Sequence, residues 1–454
     1  MLPTIAHELE LAKNSGLLKG STSAERYHSF FIQNDQFTQL ALELPKRYPF
    51  LFSQLDQVIK SAFNNLKRAI DRTTAMQSFS KITAIDLISH SDIHRGQQAL
   101  LLTFSDKTQW VYKPRDLKPE KLLSRFIDHL NLEPSYQLKS PRVLSEKNYG
   151  WIEFQKHTPC HSKEEVQTYF ARAGTLLAIA DVLNFSDGHF ENLIASGPYP
   201  ILIDCETLFQ SYQQTALPSK TIFSTGLLQK TAPNSKRKFY HSAFQAKNQE
   251  TYHFLYPHVH EDRTDSLQVE FHGYREGILD NLPYIGEEYF SAQDFKEEFL
   301  RGLAYGYQAI KKASVNILAD KQWWEALAQI EARTLMHHTV NYTYLLRRIQ
   351  QPDAGKDKQN AEKLIKDKLP DTPYLSYEVA DLLQGNIPYF YHFPNDTTLY
   401  DGNNTPYENF FQETATEQIK QNLQIDLGRK AIELVEEHLD YAKETFKCEP
   451  AKAS

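Results

Sequence analysis

Cysteine is scarce. Cys160, Cys205 and Cys448 are the only three in 454 residues, far apart and without CxxC spacing, which excludes a disulfide scaffold and a thiolate zinc site. Long apolar runs are also missing. No stretch approaches membrane-spanning length, and the N-terminal MLPTIAHELELAKNSGLLKG carries charges every few residues, so it reads neither as a signal peptide nor as a membrane span. Nor is there an excess of positive charge: 50 Lys and Arg face 57 Asp and Glu, a net charge of −7 that speaks against a dedicated nucleic-acid binder. Internal repeats and low-complexity segments are absent. What the chain does have is core-forming material, because 41% hydrophobic and 12% aromatic residues exclude wholesale disorder. Its length suits two or three linked lobes. The expectation is a cytoplasmic protein with no nucleic acid among its partners.

The pattern along the chain predicts four regions. Residues 1–80 read as helical, with Leu40, Leu44, Leu51, Leu55, Val58, Ile59 and Phe63 at helix-like intervals broken by Pro45 and Pro49. Residues 81–158 read as a strand-rich lobe: short apolar runs at Lys81–Ile88, Ala99–Phe104 and Thr108–Tyr112, a helix over Pro119–Leu130, then a strand pair at Arg142–Ser145 and Tyr149–Phe154. Residues 159–350 begin with a long helix announced by the capping box Ser162-Lys163-Glu164-Glu165 and an apolar stripe of Val166, Phe170, Ala173, Leu177 and Ala180. A loop at 187–192 and a hairpin follow, then a polar stretch at 210–265 that reads as a long mobile loop or insertion rather than a packed domain, and helices from Phe295 to Arg348. Residues 351–454 read as a charged linker, Gln351–Lys368, and a mostly helical tail.

The chemistry concentrates in Asp187-Gly188-His189-Phe190-Glu191-Asn192, followed after a hairpin by Ile203-Asp204-Cys205-Glu206. Phosphoryl transfer needs a positioned group beside the attacking hydroxyl and oxygen ligands for Mg²⁺ bridging the nucleotide phosphates. Asp187 supplies the first, Asn192 a neutral ligand and Asp204 a charged one, in the order that protein kinases use. A loop whose Asp and Asn merely cap turns is the plain alternative, but the hairpin between the two parts has the right length for the chemical one. Lys113 ends a strand on the same face as Val111 and is placed to hold the α- and β-phosphates, with Glu120 as a candidate ion-pair partner. A GxGxxG loop is absent, and Ser89–Gly96 is the candidate replacement.

The segments SDIHRG, VYKPRDL, YGWIEF, DGHFENLIASGPYPILIDCETLF, ARTLMHHT and GNIPYFYHFP, in this order from roughly residue 80 onward, resemble the dehydratase domain of LanM-type (class II) lanthipeptide synthetases. The resemblance implies an α+β fold with a bilobal, lipid-kinase-like (protein-kinase-like) core and helical N- and C-terminal extensions. It implies ATP and Mg²⁺ as cofactors, and as substrate a ribosomal precursor peptide with a leader sequence. A Ser or Thr is phosphorylated and the phosphate is then eliminated, giving dehydroalanine or dehydrobutyrine. By motif, Lys113, Asp187, His189, Asn192, Asp204 and Glu206 serve phosphoryl transfer and metal binding, Arg333 and Thr339 serve elimination, and Asp92 and His94 act near the phosphate. Geometry alone would not have paired Arg333 with Thr339, since on one ideal helix residues six apart lie about 120° from each other.

A full synthetase of that family adds a zinc-dependent cyclase, for which the three Cys offer no ligand set. The expectation is therefore a stand-alone dehydratase, leaving any cyclase as a separate partner. Two rivals remain: a kinase that stops at the phosphopeptide, and a non-catalytic kinase-like partner protein. Among the remaining histidines, His258, His260 and His272 read as part of a solvated loop rather than a metal site. His337 and His338, beside Thr339, divide evenly between proton transfer and packing.

Overall fold

The computed structural model describes residues 1–31, 36–88, 92–212, 220–229, 242–245, 253–274 and 279–446. It is an α+β protein. Helices α1 (Leu2–Asn14), α2 (Ser23–Phe31), α3 (Gln36–Arg47) and α4 (Pro49–Ala75) come first. Pro49 starts α4, where its missing N–H costs nothing. An antiparallel sheet follows, made of β1 (Ile82–Leu87), β2 (Leu100–Phe104), β3 (Gln109–Lys113), β4 (Val143–Ser145) and β5 (Gly150–Glu153) in the order β1-β2-β3-β5-β4. One face of this sheet, with Leu102, Trp110, Tyr112 and Trp151, packs on Ala69 of α4. The alternate residues Leu101, Val111 and Ile152 line a cleft on the other face, and Lys113 ends that row. The helix α5 (Lys118–Leu130) crosses between β3 and β4.

The core of the second half is α6 (Lys163–Val182) against α7 (Lys296–Ala319). Ser162 caps α6 by accepting the Glu165 N–H, while the Glu165 carboxylate takes the N–H of His161 at 2.7 Å. The two helices approach so closely that a Cβ on Gly174 would overlap the Phe299 carbonyl and one on Gly302 the Ala171 carbonyl. This tight crossing fixes the C-terminus of α6, from which the loop at 187–192 emerges. The hairpin β6 (Leu193–Ser196) and β7 (Tyr199–Leu202) comes next, turning through Gly197 in the left-handed region.

Four expectations need correction. The polar stretch after Gln210 is not simply a loop. Ile222, Leu227, Leu228, Ala243 and Phe244 are buried in the main core, and β8 (His253–His260) pairs with β9 (Gln268–Tyr274). Asp265, at the end of that hairpin, is clamped to the N-terminal helices by Lys13 at 3.3 Å and Arg26 at 2.5 Å. The rest of the stretch lies outside the described residues. After the short hairpin β10 (Tyr284–Ile285) and β11 (Glu288–Tyr289), α7 leads to α8 (Lys321–Leu327), but helix does not then run to Arg348. Instead β12 (Ala332–Thr334) intervenes before α9 (Thr339–Ile349). The "linker" contains α10 (Lys358–Lys366), whose Ala361 and Ile365 are buried beside Leu345 of α9 and Leu382 of α11 (Leu375–Leu383). The tail is not mostly helical at its start: β13 (Phe390–His392), β14 (Leu399–Asp401) and β15 (Pro406–Tyr407) extend a sheet from β12 before α12 (Ala415–Gln424) and α13 (Gly428–Phe446). No helix among the described residues is long and apolar enough to cross a membrane.

Candidate functional site

A cleft of about 2230 Å³ runs between the β1–β5 sheet and the α6–α7 half, and every site residue nominated from the sequence lines it. Lys113 is buried at the end of β3, and its Nζ donates to Asp204 Oδ2 at 2.6 Å and to the Ile203 carbonyl at 2.8 Å. The other Asp204 oxygen accepts from Arg115 Nη2 at 2.6 Å. Arg115 also reaches Glu120 at 2.5 Å and Glu206 at 3.4 Å. Glu206 in turn pairs with Arg333, and Arg333 Nη2 lies 3.6 Å from Asp92, which lies 3.6 Å from His94 Nε2. Six side chains, from Lys113 to Asp92, thus alternate in sign along one wall, with His94 at its end. Glu120 is not the partner of Lys113: Arg115 takes it, because Arg115 is the cation standing nearest the first turn of α5.

Electrostatics follow from this alternation. Burial alone would raise the Asp204 carboxyl, but Arg115 and Lys113 overturn that and hold it well below the usual carboxylate range. The same opposition operates at Asp92, where His94 and then Arg333 outweigh burial and lower it. Burial would lower Arg115 and Arg333, yet their carboxylate neighbours, Asp204 and Glu206 foremost, raise both. Asp187 differs. Burial raises its carboxyl, with only His189 and Arg333 nearby to draw it back. A carboxylate whose proton affinity is raised in a cleft is suited to accept a proton.

The loop that holds Asp187 is fixed by backbone geometry. Asp187 sits at φ +63°, a left-handed conformation that Asp tolerates better than most residues. Asn192 donates its amide to the Asp187 carbonyl at 2.9 Å, which leaves the Asn192 carbonyl oxygen as its ligating atom. The pairing Leu193↔Leu202 puts Asn192 opposite Ile203, whose N–H it accepts at 3.1 Å, so Asp204 comes next to Asn192 at the open end of the hairpin. His189 stands between two carboxylates, 3.7 Å from Asp187 and 3.7 Å from Glu191. Gly188 packs where a Cβ would meet the Thr225 carbonyl at 2.6 Å and Leu227 at 2.7 Å. Gly188→Ala is therefore expected to cost about 1–3 kcal/mol of stability and, by displacing Asp187, to lower turnover about 100-fold. Thermal melts and product mass measured on the same preparation check both.

Arg333 and Thr339 meet the cleft for a reason that helical geometry would have missed. Arg333 lies on β12, its N–H donating to the Glu206 carbonyl at 2.8 Å, and Thr339 is the first residue of α9. A strand end and a helix N-terminus are joined by the turn 335–338, and Arg333 and Thr339 both line the cleft. Sequence reasoning missed Arg115 and the buried Glu378, which lies 3.5 Å from His337; the signal for Arg115 was its place two residues from Lys113. Of the proposed Ser89–Gly96 cradle, residues 89–91 lie outside the described set, and 92–97 form a turn closed by His94 and Gln97. His258 and His260 fall on a β-strand, not a solvated loop, and the side chain of His272 lies outside the described residues. Cys160 and Cys205 are buried, burial pushing the Cys160 thiol up to about 12.

Mg²⁺ prefers oxygen donors and is usually bound by one or two carboxylates with substrate phosphates completing the shell. Asp204 and the Asn192 carbonyl oxygen fit that pattern. Among the described residues no cluster of three or more His, Cys, Asp or Glu is placed to hold a metal ion.

A family described as a domain of unknown function, DUF4135, matches residues 48–392, a span that includes nearly all of these side chains. The chain belongs to the DUF4135 family. This DUF4135 chain is also 23% identical over 418 residues to the lacticin 481/lactococcin biosynthesis protein LcnDR2 of Lactococcus lactis subsp. lactis. That match covers 83% of the chain and 44% of the relative, so the chain spans about half the length of the protein it resembles. The likeness read from the motifs is borne out: this member of the family is LanM-like.

Proposed function

We propose that the protein is a class II lanthipeptide-type dehydratase with a lipid-kinase-like core. It phosphorylates Ser or Thr of a leader-bearing ribosomal precursor peptide with ATP and Mg²⁺, then eliminates the phosphate to leave dehydroalanine or dehydrobutyrine. The observation that carries this reading is the continuous chain of ion pairs from Lys113 to His94. It joins the residues assigned to phosphoryl transfer to those assigned to elimination within one cleft. The cleft's size supports it too: ligand pockets run about 300–1,000 Å³, and one of about 2230 Å³ has room for nucleotide and peptide together.

Leu101, Val111 and Ile152 give an apolar roof for a nucleobase, and Lys113 grips the α- and β-phosphates. Asn192 and Asp204 hold the metal, which supplies charge neutralisation on the phosphates. Asp187 orients the substrate hydroxyl and takes its proton, with His189 beside it and Glu206 steering Arg115 and Arg333. When the phosphoryl group has moved to the peptide, Arg333 grips it through its planar fork and Thr339 adds a hydroxyl donor. Asp92 and His94 keep Arg333 aimed. Hydroxide leaves poorly, whereas phosphate held by these donors leaves readily, so the first half-reaction prepares the second.

The test is intact mass of the precursor peptide after incubation with ATP and Mg²⁺. Dehydration lowers the mass by about 18 Da per site, whereas a kinase without elimination raises it by about 80 Da. An unchanged peptide across plausible precursors favours a non-catalytic partner protein.

A further inference from the structure

His337 and His338 share the turn between Arg333 and Thr339, and both line the cleft. Only His337 has a buried acid behind it. Its Nε2 lies 3.5 Å from Oε1 of Glu378, a completely buried carboxylate on α11. That Oε1 also accepts from the Tyr342 hydroxyl of α9 at 2.5 Å, while Glu378 Oε2 and His337 Nε2 are both buried with no hydrogen-bond partner among the described residues. An uncompensated carboxylate in a core costs stability, and a small imidazole rotation would satisfy both atoms. Tyr342 stands edge-on to the imidazole at 5.5 Å and steadies its plane. The His337 side chain is 22% exposed and lines the cleft although Nε2 is buried, which leaves Nδ1 as the ring nitrogen able to meet a substrate. His338 is exposed and makes no side-chain cap bond to α9.

We propose that His337 is the base that removes the Cα proton during phosphate elimination, and that Glu378 is its positioning residue. The assignment rests on the dehydratase reading above. The step balances without a further reagent. Nδ1 takes the Cα proton, the C–H electron pair becomes the Cα=Cβ bond, and the Cβ–O bond breaks. Phosphate leaves with that electron pair into the grip of Arg333 and Thr339, and the imidazolium returns its proton to the departing phosphate. A carboxylate that accepts Nε2–H fixes the tautomer with Nδ1 unprotonated, as in other carboxylate–imidazole pairs. The long 3.5 Å separation suits a ligand-free state, in which catalytic hydrogen bonds are often loose. Burial, and to a lesser degree His338, lowers the His337 imidazole, keeping it neutral and able to accept a proton. Burial pushes Glu378 up to about 7, so above that pH it is the acceptor the assignment requires.

The experiment gives the full chain a synthetic precursor peptide carrying phosphoserine and follows dehydroalanine by mass. The unphosphorylated peptide with ATP and Mg²⁺, given in parallel, reports kinase activity and folding. His337→Ala is expected to slow elimination by about 100-fold or more while phosphorylation persists, and added imidazole should restore part of the lost rate. Glu378→Gln should lower kcat for elimination several-fold with KM unchanged, and His338→Ala should eliminate like the wild type. Elimination at the wild-type rate by His337→Ala overturns the assignment, as does parallel loss of both half-reactions without imidazole rescue. Failure of the wild type itself to eliminate overturns the dehydratase reading and this one with it, and is seen before any variant is made.

Discussion

Arg333→Ala is expected to stop the proposed reaction halfway, with a product about 80 Da heavier per site instead of about 18 Da lighter. The guanidinium is the one cation that touches both Glu206 and Asp92 in the part of the cleft where the turn leads into α9. Its raised proton affinity means that it stays charged at any working pH. Removing such a donor from a preorganised oxyanion site costs about 10²–10³ in rate. The proposed reading assigns phosphoryl transfer instead to Lys113, Asp187, Asn192 and Asp204, so the phosphopeptide is expected to accumulate. Loss of the side chain also removes the guanidinium shared by Glu206 and Asp92, at about 3 kcal/mol. Arg333→Lys therefore serves as the companion variant. It keeps the charge and loses the fork, and is expected to eliminate slowly without the stability defect.

Asp204→Asn is expected to block the proposed phosphoryl transfer, leaving the peptide mass unchanged. Both oxygens of Asp204 are engaged by cations, Lys113 at 2.6 Å and Arg115 at 2.6 Å. Its carboxyl is held so far below the normal range that it remains ionised throughout the pH span of folding. Neutralising it removes the only charged metal ligand proposed and leaves Lys113 without its counter-ion. The expected loss in phosphoryl transfer is about 10³-fold, comparable to losing a single charge-stabilising group in such enzymes. Elimination from a ready-made phosphopeptide should suffer far less. Comparing the two assays on this variant separates metal-dependent transfer from the later step.

The motif-bearing part of the chain was legible because local rules and tertiary demands agree there. The strands ending at Phe104 and Lys113, the helix capped by Ser162 and the 193–202 hairpin stand within a residue or two of their expected places. Alternation, a capping box and Gly-Pro turn chemistry each point to one outcome. The region around Arg333 was not legible. Ala332–Thr334 is a strand only because β13, almost sixty residues later, pairs with it, and no local pattern reports so distant a partner. For the same reason the likeness to known dehydratases was needed to join Arg333 to Thr339. The charged stretch 351–368 conceals α10, since two buried residues, Ala361 and Ile365, suffice to hold it. The polar stretch after Gln210 misled through composition. A few apolar residues, among them Leu227 and Phe244, carry its packing.

One cleft performing two successive half-reactions is the core of the account, and a single-turnover time course tests it most directly. Enzyme in excess over precursor peptide is mixed with ATP and Mg²⁺, and peptide masses are followed from the first second. The account requires a heavier phosphorylated species that rises, then falls as the dehydrated species grows at the same rate. Dehydrated peptide appearing without ATP, or a phosphopeptide that forms and never converts, would contradict it.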